Sequence, residues 1–285
     1  MSTETEFVKK VDKLIPRPEI ALEVLLIANE TECNIPALSK IIKQDPSLTA
    51  NILKLANSAY FGHMKEINSI TDIIVRLGLD TIKMLAITSA SVGVLRSPQQ
   101  AYNLEPGFLW NHSYACAILS SIIGRWAKCS SISTLYTSAL LHDIGKIILN
   151  RPLQIESMNR GEQSDTRMNV VELEQLLLHT NHALVGKELL KKWGLPAEIN
   201  NPVGTHHDLK ACGNSLNNKI VYLANYLAGS IGIHAASPEN CFYTVEKDYS
   251  ANEELPEVPC FKENMESIIF EFFEKFNETN SLQFK

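Results

Sequence analysis

The stretch LLHDIGK, residues 140–146, sets His142 and Asp143 directly behind an apolar run, with Gly145 and Lys146 just after. An imidazole and a carboxylate beside residues that bury themselves have two readings. They are either metal ligands, or a core histidine paired with an acid and capped by a lysine. Lys146 lies within one turn of both, where its ammonium group could meet a phosphate oxygen. Adjacent side chains on a helix diverge by about 100°, so both members of the doublet reach one centre only near a helix end or kink. Gly145 makes such an irregularity plausible here.

Outward from this stretch the chain reads as helix, and no sustained alternation of apolar and polar residues predicts strands. Asn34 is a candidate cap for PALSKIIKQ, and Asp45 followed by Pro46 is a start signal for SLTANILKLANSAY. In that segment Leu48, Ile52, Leu55 and Ala59 recur at helical spacing and predict one buried stripe. Ser69 with Asp72 resembles a capping box ahead of IIVRLG, and Asp80 is a candidate cap for TIKMLAITSASVGVL. RSPQQAYNLEPG, residues 96–107, gathers proline, glycine and polar residues and marks a boundary.

Beyond the boundary come GFLWNHSYACAILSSIIGRWAK and ISTLYTSALLHDIGKIILN, then a polar stretch from Arg151 to Asn169 that predicts a loop. VVELEQLLLHT leads to Asn181, a cap for HALVGKELLKKW, which stops at Gly194. Pro196 restarts a helix that Pro202 and Gly204 should disturb before His206 and His207. KIVYLANYLAGSIG is the last core helix. The tail after Ser237 should be extended until NMESIIFEFFEKF, whose Ile268, Ile269, Phe272, Phe273 and Phe276 form an apolar face expected to close the core of its own subunit.

Of eight histidines, His112, His142, His182, His206 and His207 fall in order on helices or helix ends of the second half, one of them beside a carboxylate. Each short cluster can supply a ligand to one centre between packed helices. Imidazoles with carboxylates suit iron, manganese, zinc or nickel.

Composition bounds the remaining classes. The chain has 285 residues, 45% of them apolar and 20% charged, as ordinary globular proteins do. Its apolar runs fall well short of the roughly 18 residues of a membrane span, and MSTETEFVKK lacks the pattern of a secretory signal. Six cysteines without a CxxC pair argue against a zinc ribbon or a disulfide framework, so a soluble protein of a reducing cytoplasm is expected. The net charge of −6 belongs to the tail, where residues 237–285 carry eleven acids against four bases. The first 236 residues offer no dense basic face, and the segment that would serve as a recognition helix carries only Lys54 as a base. Direct nucleic-acid binding is not expected.

The blocks IPRPEIALEVLLIANE, DPSLTANILKLANSAYFG and INSITDIIVRLGLDTIKMLA resemble the HDOD family, the HD-related output domain. The second half resembles the HD superfamily of metal-dependent phosphohydrolases. Together the resemblance covers about residues 14–235. It implies an all-α, multi-helix bundle: an N-terminal extension (1–13), a helical subdomain (14–100), an HD-like helical core (101–236) and an acidic extension with an amphipathic helix (237–285). His112 matches the early histidine of the HD pattern, His142 and Asp143 the doublet, and Lys146 the lysine of HDIGK-type motifs. His182, His206 and His207 match the extra histidines of members with two or more metals. Where the pattern expects a late aspartate this chain has Asn225, an amide that brings no negative charge and cannot take a proton. The GYP segment of cyclic-dinucleotide phosphodiesterases is also missing after the histidine doublet.

The resemblance therefore implies a bacterial signal-transduction module with a degenerate metal site, holding Fe, Mn, Zn or Ni or no metal at all. It would act by binding a signalling protein or a small nucleotide, with oligomerisation through the C-terminal helix an option. The alternative is a metal-dependent phosphohydrolase of a nucleotide or other phosphoester, in which Asp143 and Lys146 are catalytic.

Overall fold

Apolar residues at helical spacing bury themselves only by packing helix on helix. The computed structural model describes residues 2–9, 18–28, 33–58, 67–160, 168–234 and 255–283. Their regular structure is helical, with an isolated bridge between Gln99 and Leu104 and no strands among the described residues. The helices are α1 (Thr3–Lys9), α2 (Glu19–Ile27), α3 (Ile35–Ile42), α4 (Pro46–Ala56), α5 (Ile70–Leu95), α6 (Phe108–Trp126), α7 (Ile132–Leu141), α8 (Ile144–Arg160), α9 (Val170–Leu178), α10 (His182–Lys192), α11 (Ala197–Thr205), α12 (Leu209–Cys212), α13 (Leu216–Ser230) and α14 (Phe261–Gln283). None is long and apolar enough to cross a membrane.

The cap signals at several helix starts act locally. Asn34, Asp45, Ser69 and Asn181 each accept a backbone N–H of the first turn that would otherwise lack a partner. Asn57 holds Ile67 from both sides, accepting its N–H at 2.8 Å and donating to its carbonyl at 2.9 Å. Leu48, Ile52 and Leu55 are buried as their spacing predicts. Ala59, the end of the LANSAYFG block and the tail segment 237–254 lie outside the described residues.

Two apolar cores form, and α5 belongs to both. Its Ile82, Leu85 and Ala86 join α2, α3 and α4, while its Met84, Ile87 and Leu95 face the larger core around α6, α7, α10 and α13. Gly78 makes this possible. Its φ of 85° is a conformation open to glycine, and it bends α5 within the RLGLD block. Asp80 stands beyond that bend, where its carboxylate accepts from Lys83 Nζ at 2.6 Å and from Ser133 Oγ at 2.9 Å.

Two local expectations are overridden. The loop expected from Arg151 is helix as far as Arg160, with Pro152 inside α8. Leu149 and Leu153, one turn apart, are both fully buried, and Asn150 accepts the N–H of Ala101 at 2.9 Å. Tertiary burial outweighs the lost helical hydrogen bond. Likewise α11 runs through Pro202 and ends at Thr205, with His206 as its C-terminal cap.

On α14, Ile268, Phe272 and Phe276 are buried against the chain's own core. Phe273 is not part of that stripe and is 40% exposed. Arg125 of α6 and Glu271 of α14 pair at 2.8 Å at its edge.

Candidate metal centre

The doublet sits at the junction of α7 and α8, with His142 capping the end of α7 and α8 beginning at Ile144. Gly145 brings that junction onto α10. A Cβ on Gly145 would lie 2.0 Å from the carbonyl oxygen of His182, so only glycine permits the approach. The second doublet, His206 and His207, follows the last residue of α11. Helix ends thus free both doublets from the 100° divergence of a regular helix.

All five histidines, Asp143 and Asn225 converge. His112 is contributed by α6, His182 by α10 and Asn225 by α13. The Nε2 atoms of His112 and His142 are 3.2 Å apart, those of His182 and His206 3.2 Å, and those of His182 and His207 3.0 Å. The Asp143 carboxylate stands between them. Its Oδ1 lies 3.2 Å from His182 Nε2 and 3.6 Å from His206 Nε2, while its Oδ2 lies 3.4 Å from His142 Nε2 and 3.8 Å from His112 Nε2.

Outer hydrogen bonds decide where each ring keeps its proton. Nδ1 of His112 donates to the Ile233 carbonyl at 2.7 Å, that of His142 to Ala139 at 2.6 Å, and that of His206 to Val203 at 2.6 Å. Since those oxygens only accept, the inward Nε2 atoms of the neutral rings are bare lone pairs. His182 is held by Glu174, whose carboxylate takes Nδ1–H at 2.7 Å and the backbone N–H at 2.8 Å. Tyr102 in turn donates to Glu174 at 2.5 Å.

Such a cluster of acceptors is in conflict with itself unless a cation or proton joins it. Asp143 Oδ1 is buried and receives no hydrogen bond. Asn225 Oδ1 faces His112 Nε2 at 3.0 Å, acceptor toward acceptor. Among the described residues two donor groups could hold a metal ion: Asp143, His182, His206 and His207 form one, and His112, Cys116 and His142 the other, each with its ligand atoms within 4.8 Å of one another. The Nε2 separations of 3.0–3.2 Å are a little under the roughly 3.4 Å between tetrahedral nitrogen ligands with bonds of about 2.1 Å, close enough for one ion to engage neighbouring rings. A bound divalent metal would supply Lewis acidity and lower the pKa of a bound water.

Electrostatics favour the same occupant. Burial pushes His112 and His142 down to about 3 and His206 to about 4, so these rings stay neutral and able to ligate. Burial also holds His207 well below its usual value. For His182 burial is overcome by Glu174, and its pKa is raised. Burial alone would raise the Asp143 carboxyl, but Lys146 and His142 hold it well below the usual carboxylate range. It is a standing anion at the centre of the cluster.

Lys146 does not reach outward. It is 3% exposed, its Nζ lies 2.8 Å from Asp143 Oδ2, and it sits over the Tyr102 ring. Glu174 and Cys116 join the site without having been read as site residues in the sequence. Glu174 lies on the apolar stripe of α9 with Val170, Leu173 and Leu178, an acid where a core residue belongs. Cys116 follows His112 by one turn on the same face of α6.

A bundle of helices thus closes on a buried cluster of histidines and one aspartate. The HDOD domain matches residues 14–209, and the chain belongs to the HDOD family. It is 25% identical over 202 residues to an uncharacterized protein of Treponema pallidum (strain Nichols), covering 70% of this chain and 39% of that protein. The chain therefore spans well under half the length of that curated relative. Among solved structures, an HDOD domain protein of unknown function from Geobacter sulfurreducens superposes with a TM-score of 0.75 at 23% identity, covering 99% of this chain and 98% of that one. A candidate metal-dependent phosphohydrolase from Shewanella amazonensis SB2B gives 0.61 at 21% identity, covering 97% and 98%. At these identities the likeness is one of fold.

Proposed function

We propose that this chain is a regulatory HDOD module whose centre holds a divalent transition metal without turning over a phosphoester. The observation that carries this reading is the burial of the ligands. His112, His142, Asp143, His182 and His206 are at most 1% exposed and Asn225 is 4% exposed, while His207 is partly buried. A hydrolase needs an open coordination position and a path for substrate. Here the lysine that would steady a phosphate is bonded to Asp143, and the late carboxylate is an amide.

Such a module acts through what it binds. The cleft between α2, α4 and α5, about 360 Å³ and lined by Pro18, Glu19, Asp45, Ser47, Asn51 and Ser89, is the candidate contact. Its two carboxylates disfavour a nucleotide and favour a basic segment of a signalling protein.

Elemental analysis of protein purified without chelator, paired with phosphoester assays in added Mn or Fe, tests the reading. Near-stoichiometric metal with no hydrolysis is expected, and the metal should be lost in Asp143→Ala. The second reading, a phosphohydrolase, is favoured by the place of the Asp143 carboxylate, whose Oδ1 lies 3.2 Å from His182 Nε2 and whose Oδ2 lies 3.4 Å from His142 Nε2, so that one anion faces both sets of imidazoles. Metal-dependent hydrolysis that disappears in Asp143→Ala would establish it instead.

A further inference from the structure

We propose that Cys116 is a metal ligand, and that with His112 and His142 it forms a thiolate site selective for zinc over hard ions such as manganese. The inference rests on the metal-binding reading above and names which donors hold one of the ions.

Cys116 is fully buried, and a buried cysteine is ordinarily a small core residue. What it touches distinguishes it. Its Sγ lies 3.6 Å from His112 Nε2 and within 4.8 Å of the ligand atom of His142. Its other polar neighbour is the carbonyl of Ala224 at 3.8 Å, a long contact for a weak donor. The sulfur therefore sits where two imidazole lone pairs converge.

The spacing follows from the helix and suits the ion. Residues 112 and 116 are one turn apart, so α6 presents both to the same point. With Zn–S near 2.3 Å and Zn–N near 2.1 Å, tetrahedral ligands stand about 3.6 Å apart. The observed separation from sulfur to His112 Nε2 is that distance.

Charge gives the thiolate a purpose. Asn225, next to Ala224 on α13, brings an amide oxygen to His112 where an aspartate would bring an anion. A cysteine deprotonated by its ion restores one negative charge to this half of the centre. It also changes the preference, because thiolate favours zinc and other borderline or soft ions over manganese and magnesium.

The test is substitution of full-length protein with Co(II), read by its thiolate-to-cobalt charge-transfer absorption in the near ultraviolet. The band is expected in the native chain and should vanish in Cys116→Ser. Zinc affinity, from chelator competition, should fall about 10–100-fold in Cys116→Ser while manganese affinity changes less than threefold. Cys116→Ala with unchanged far-ultraviolet circular dichroism separates ligand loss from misfolding. Cobalt bound without the band, or a band that survives in Cys116→Ser, would overturn this inference and leave the histidine centre standing. Failure to bind cobalt or zinc at all would overturn both.

Discussion

Glu174 grips His182 at two points, taking its backbone N–H at 2.8 Å and its Nδ1–H at 2.7 Å. The ring is thereby turned so that Nε2 faces Asp143 and the other imidazoles. Because orientation and basicity of a ligating ring depend on that outer bond, Glu174→Gln is expected to weaken metal binding about 10–100-fold with the fold intact. Chelator competition followed by circular dichroism measures this. Unchanged affinity would mean that His182 is held in place by packing alone.

Gly145→Ala should break the centre through the backbone. Its new Cβ would overlap the His182 carbonyl, so α8 must move off α10. Overpacking of this kind costs about 1–3 kcal/mol, and a melting temperature several degrees lower, with loss of bound metal, is expected. A thermal melt within a degree of the native chain would contradict the close approach.

Asn225→Asp should restore the missing carboxylate. Metal affinity is expected to rise at least about tenfold, some 1.4 kcal/mol. If the amide is what silences the site, metal-dependent phosphoester hydrolysis should emerge in this variant and not in the native chain. An assay on both proteins at equal metal occupancy decides it; a fall in affinity would show that Asn225 belongs to a hydrogen-bonded pair and not to the ligand set.

The metal-free protein should be acid-sensitive. In the unfolded chain the buried histidines take a proton near pH 6.5, whereas in the folded chain burial delays this to about 3 for His112 and His142 and to about 4 for His206. His207 is lowered as well. Between those values the unfolded state binds more protons, so stability falls as pH drops, by up to about 1.4 kcal/mol per pH unit for each ring. His182 opposes this. Its raised pKa stabilises the folded state below pH 6.5, and that contribution is lost as pH rises through its folded value. Melts of chelator-treated protein from pH 8 to 4.5 should show a net decline beginning near 6.5, and bound zinc should delay it. A flat profile would mean that these rings are solvated.

The local features were legible in the chain. Asn34, Asp45, Ser69 and Asn181 cap the helices whose starts they mark, since a cap needs only a side-chain oxygen and an N–H two or three residues on. The order of the histidines and the doublet beside Gly145 pointed to one centre, because each cluster is short in sequence.

Contacts between distant residues decided the rest. Pro152 and Pro202 remain inside helices because burial from other elements outweighs a local preference. Lys146 faces inward because the anion of Asp143 lies there. Cys116 and Glu174 enter the centre because α6 and α9 pack with one face toward it, and nothing within a few residues of either records that packing. Sequence by itself marked most helix starts and offered the candidate ligands. Only the tertiary structure decided which lone pairs meet, since that depends on how the helices approach one another, and at Gly145 on the absence of a single carbon.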